Sequence, residues 1–156
     1  MKTPLTFLFL FSGSVYGGDE DDLQEGWDAY DRKDYKTTLR LWLPLAEEGN
    51  AEAQVLLGMM YSNGTGVPQD YKEAVKWYRL SAEQEYSAAQ YNLGIMYYIG
   101  KGVPQDYALA HMWFNLCGSS GDKECVENRN KVENKMTKQQ IEKAQEMARN
   151  WKPKKK

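Results

Sequence analysis

The chain is predicted to be all-α, a solenoid of αα hairpins with about eight helices. One observation dominates: a 36-residue block occurs twice. Gln54–Trp77 reads QVLLGMMYSNGTGVPQDYKEAVKW, and Gln90–Trp113 reads QYNLGIMYYIGKGVPQDYALAHMW. A fixed period in this range marks stacked supersecondary units rather than one globular core. Within each copy, Gln54, Leu57, Gly58 and Tyr61 recur at helical spacing. The Gly and Pro residues between the periodic stretches supply the turns.

The elements follow in chain order. Lys2, the apolar run Leu5–Phe11 and Val15-Tyr16-Gly17 read as a signal peptide over residues 1–17, with the mature chain starting at Gly18. The run is far short of the ~20 residues of a membrane span. A retained N-terminal anchor is the rival reading. Residues 18–50 form a variant hairpin. Gly26, Trp27, Ala29 and Tyr30 end one helix, and Asp34-Tyr35 starts the next, in which Pro44 is expected to cause a kink.

Residues 51–86 and 87–122 are the two regular repeats. Gly58 costs about 1 kcal/mol relative to Ala inside a helix, so a neighbour must need the missing volume. Gly64 and Gly66 end the first helix in left-handed backbone. Asp70 is the N-cap of a second helix from about Tyr71 to Glu83, with Glu73 placed for a capping box. Ala74, Trp77, Tyr78 and Ala82 form its buried stripe. Beyond residue 122 the period decays. A polar helix near Lys123–Lys135 and a last helix opened by Thr137-x-x-Gln140 make a capping hairpin over 123–151, followed by a basic tail at 152–156. A polar terminal unit stops an array from stacking further.

Net charge is −2, so no global field calls for nucleic acid. Eight acidic residues lie between Asp19 and Asp34, and both charged ends read as solvated termini. Cys117 and Cys125 are eight apart. Export favours a disulfide between them, and two buried thiols remain the alternative.

The repeats closely resemble the Sel-one-like repeat, a branch of the tetratricopeptide-like αα solenoids. Its pattern appears as AEAQVLLGMMY, GTGVPQD and AVKWYRLSA, and again as SAAQYNLGIMY, GKGVPQD and AHMWFNLCG. Glu85 departs from it where the family favours Gly, which implies a strained left-handed position. The resemblance implies a right-handed superhelix that serves as a protein-interaction scaffold. Bacterial members are often exported, and a secreted cysteine-rich branch carries Cys pairs eight apart that join one repeat to the next. Cys117 and Cys125 match that placement, which implies a disulfide.

No catalytic constellation is present. His111 is the lone histidine, expected on the solvent side beside Ala110, and it leaves no triad with a spare member. Two cysteines and one histidine are too few for structural zinc, and no Gly loop cradles a phosphate. No metal or cofactor is expected. Ser120-Gly-Asp-Lys123 fits S-x-x-K without its companion motifs. Because some family members are linked to β-lactam binding or weak hydrolysis, an enzyme acting on β-lactams or peptidoglycan-related substrates is the first alternative. An inhibitor or immunity-type protein is the second.

A binding face follows from helical geometry. Opposite the buried stripe, at about 100° per residue, lie Glu52, Leu56, Met59 and Asn63. In the next repeat they correspond to Asn92, Ile95 and Ile99, and in the leading hairpin to Glu25 and Asp28. This expected groove is apolar in the middle and acidic at its N-terminal end. The sequence therefore reads as a periplasmic or secreted, monomeric scaffold for a protein or peptide partner. Neither nucleic acid nor a membrane span is expected.

Overall fold

Eight helices run through the described residues of a computed structural model, which gives the backbone of residues 4–154 and the side chains of residues 18–154. The side chains of the expected signal peptide and its cleavage site, and Lys155 and Lys156, lie outside the described residues. The helices are α1 (Pro4–Asp31), α2 (Tyr35–Glu47), α3 (Ala51–Asn63), α4 (Tyr71–Ala82), α5 (Ser87–Ile99), α6 (Tyr107–Ser119), α7 (Lys123–Glu133) and α8 (Lys138–Asn150). Among the described residues, no helix is long and apolar enough to cross a membrane.

The helices pack in chain order, α1 on α2, α2 on α3, and so on to α6. The residue types at the contacts explain why. A Cβ on Gly58 would stand 2.5 Å from the Tyr78 ring, and one on Gly94 would stand 2.7 Å from Phe114. The glycines therefore let an aromatic ring of the second helix lie directly on the first. Gly64 and Gly100 end α3 and α5 at φ 67° and 69°, each donating its N–H to the carbonyl of Met60 or Met96. Asp70 and Asp106 restart the chain as N-caps, accepting from Glu73 N and Leu109 N. Glu73 does not complete the expected capping box. Its carboxylate meets Lys76 Nζ at 3.3 Å instead. Thr137 and Gln140 do form one at the start of α8.

Successive hairpins are clamped by buried polar groups at equivalent places. Gln54 Nε2 donates to Ala46 O at 3.0 Å, and Gln90 Nε2 donates to Ala82 O at 3.2 Å. Each side chain satisfies a carbonyl near the end of the preceding helix, where intrahelical donors run out. Within the first repeat, Ser81 Oγ on α4 also donates to Ala51 O at the start of α3, at 2.7 Å. One repeat later the Ser81 position is Cys117, whose disulfide to Cys125 ties α6 to α7, with the two Cα atoms 5.9 Å apart. Both cysteines are fully buried.

The leading hairpin uses aromatic packing. Trp27 meets Trp42 edge-on at 5.1 Å, Tyr30 stacks on Trp42 at 5.9 Å, and Trp42 Nε1 donates to Leu23 O. α2 continues through Pro44 to Glu47. The expected C-terminal hairpin takes another form. Both α7 and α8 make their main contacts with α6, so the last helix folds back along the array instead of extending it.

Candidate interaction surface

The first-helix face proposed from the sequence is only partly open. Glu25 and Asp28 on α1, Met59 and Asn63 on α3, and Ile99 on α5 are exposed. Glu52, Asn92 and Ile95 are half-buried. Leu56 is not available, being only 6% exposed. The physical reason is the aromatic cluster of the leading hairpin, which reaches over α3. Leu56, Met59 and Met60 share a small cavity with Trp27, Tyr30 and Trp42. Met59 is the member of that group that reaches solvent, at 43% exposure. Glu52 lies near Tyr86, where burial first and the Glu52 charge second push the phenol above its ordinary range. Asp21, Glu25 and Asp28 have no cationic partner among the described residues, so the N-terminal end of this face keeps its negative charge.

His111 lies at the opposite extreme from its expected place. It is fully buried, and its Nε2 lies 2.8 Å from Glu133 Oε1 on α7. Its Nδ1 has no hydrogen-bond partner. The signal in the sequence was the repeat column, because 36 and 72 residues upstream stand Val75 and Leu39. Val75 is buried and Leu39 half-buried. Among the described residues Glu133 is its hydrogen-bond partner, so the imidazole ties α6 to α7. Ser120 Oγ donates to Cys117 O at 2.7 Å, and no hydrogen bond joins it to Lys123 among the described residues. The same residues hold no group of three metal-ligating side chains.

A second surface, which the sequence reading missed, lies along α4 and α6. The segment after α8 leaves the helix in extended backbone, with Trp151 at φ −67° and ψ 139°. Trp151 meets Trp113 edge-on at 5.8 Å. Lys154 N donates to Glu83 O at 3.1 Å, and Lys154 Nζ pairs with Glu83 Oε1 at 2.9 Å. The expected solvated tail is therefore docked as far as Lys154. Next to it, Ala46, Gln54, Trp77, Leu80 and Glu83 bound an open cleft of about 390 Å³. Nothing periodic in the sequence announces this contact. The only hint was an aromatic residue left just past the end of the last helix.

The architecture and motifs have known counterparts. The family model for the Sel1 repeat matches residues 51–86 and 87–122. The chain carries two Sel1 repeats. Repeats of this family commonly serve as protein-interaction scaffolds. A solved structure from uropathogenic Escherichia coli strains, a protective antigen displaying an SLR fold, is 31% identical with a TM-score of 0.80. The match covers 88% of this chain and 31% of that one. A Sel1 repeat protein from Oxalobacter formigenes is 27% identical with a TM-score of 0.66, over 70% of this chain and 45% of its own. The chain thus spans less than half the length of either structure. No curated protein matches it. The Sel1 repeats occupy α3 to α6, and both surfaces described above draw on them.

Proposed function

We propose that the chain is an exported, monomeric, non-catalytic scaffold that binds a protein or peptide partner across the first-helix face of its repeats. The observation that carries this reading is the exposure of Met59 and Ile99. Among the described residues four large apolar side chains are open, and two of them lie on this face. Half-buried Ile95 and the polar Asn63 and Asn92 adjoin them. Apolar anchors inside a polar rim are the usual form of an interaction site, and methionine adapts readily to a partner's shape. The uncompensated carboxylates of Asp21, Glu25 and Asp28 favour an apolar partner segment with Lys or Arg toward that end. Export is supported by the Cys117–Cys125 disulfide, since such bonds persist in oxidising compartments.

Affinity capture of partners from the envelope fraction tests the reading. Met59→Glu combined with Ile99→Glu is expected to abolish capture while helical content and melting stay unchanged, because both side chains are exposed. Ile95 is left intact because it packs against the core. Undiminished capture by the folded double variant would reject this face.

A further inference from the structure

The docked tail shows how this array holds an extended segment, and the repeat supplies an equivalent position one unit earlier. Advancing the open cleft by 36 residues turns Gln54, Leu80 and Glu83 into Gln90, Leu116 and Ser119. Those three residues bound the cleft that Trp151 and Pro153 close along one side. The same step turns Trp77 into Trp113, against which Trp151 rests. The two clefts are therefore one feature in successive repeats. One holds an aromatic side chain against its tryptophan. The other is open, with only Lys154 at its rim.

Three features of the open cleft specify what would enter it. Leu80 offers an apolar wall, 40% exposed. Trp77 is 6% exposed, and its indole N–H is buried without an acceptor. An unmet buried donor is costly, and no hydrogen bond from the indole N–H fixes this ring in place. Glu47 also borders the cleft, is exposed, and pairs with no cation among the described residues. It stands 36 residues before Glu83, the carboxylate that Lys154 occupies. In the tail the aromatic residue and the paired lysine are three apart. Moved back one repeat, that spacing sets an aromatic ring against Trp77 and a cation against Glu47.

We propose that the Trp77 cleft binds an extended partner segment of the pattern aromatic-x-x-Lys/Arg, for which the chain's own tail is a built-in likeness. The inference rests on the interaction reading above but assigns a different face and a defined ligand chemistry.

The test is titration of the full-length, 15N-labelled protein with a blocked peptide copying residues 150–155, following the tryptophan indole N–H signals. The Trp77 signal is expected to shift saturably while those of Trp113 and Trp151 stay in place. The same peptide with Ala for Trp is expected to shift nothing. Glu47→Lys, at an exposed position, is expected to weaken binding roughly fivefold with melting unchanged. If Glu47→Lys disturbs the fold, Glu47→Gln removes the same ion pair and takes its place. A Trp77 signal that does not move overturns the proposal. So do shifts confined to Trp113 and Trp151, which would report exchange with the docked tail, and so does an affinity indifferent to both Glu47 variants. Loss of partner capture in the Met59 and Ile99 variant, with peptide binding intact, leaves this proposal standing and separates the two faces.

Discussion

Tyr78 occupies the volume that Gly58 leaves empty, and its burial has a measurable consequence. Its phenol is pushed up to about 12 by loss of solvent, only partly offset by a hydrogen bond with Ser62. Below the ordinary tyrosine value of 10.0 the group is neutral in folded and unfolded chains alike, so it contributes no pH dependence there. Above that value the unfolded chain ionises first. Stability should therefore fall as pH rises from about 10 to about 12, by about 2–3 kcal/mol. Urea midpoints measured across this range, for the natural protein and for Tyr78→Phe, check it. The phenylalanine variant should lose less stability over the interval.

Glu85 makes a second case at the residue scale. It holds φ 64° where the equivalent residues Gly49 and Gly121 hold 100° and 98°. A non-glycine residue in this region costs about 1–2 kcal/mol, while glycine adds entropy to the unfolded chain. Glu85→Gly should therefore stabilise by about 0.5–1 kcal/mol, visible as a higher melting temperature. An unchanged or lower melting temperature would mean that the Glu85 side chain offsets its own strain.

Like α8, α7 buries few side chains and relies on outside support. Only Cys125 and Val132 of its side chains are buried, against six on α4. The disulfide joins α7 to α6 close to its first turn, and the His111–Glu133 contact joins it near its last. Replacing Cys117 and Cys125 together by Ala should cost about 2–3 kcal/mol, the loop-closure value for a short bridge. Amide exchange should rise first in α7 and in the Asp122 cap that starts it. Uniform exchange across all helices would show instead that the array opens as one unit.

Over the whole molecule, legibility followed the range of the interaction. Gly64, Asp70 and Thr137 were readable because their residue types encode local backbone shape, which no distant contact overrides. Gly58 was readable because the repeat presented the same demand twice. His111 was misplaced because one polar residue in an apolar column was read by its immediate neighbours. Its column of Leu39 and Val75 carried the better information. Leu56 was misplaced because a helical wheel knows one helix, and the rings that cover it come from α1 and α2. The tail was illegible because its partners lie 38 and 71 residues away, at Trp113 and Glu83, in a segment with no period at all.

That last contact changes the mechanics of the array. Units held only by their nearest neighbours fray inward from each end, one at a time. Here the terminal strap passes over α6 and fastens to the end of α4, so α8 cannot peel away without also releasing Glu83. What the sequence writes as an open row of hairpins is, at its C-terminal half, a tied loop.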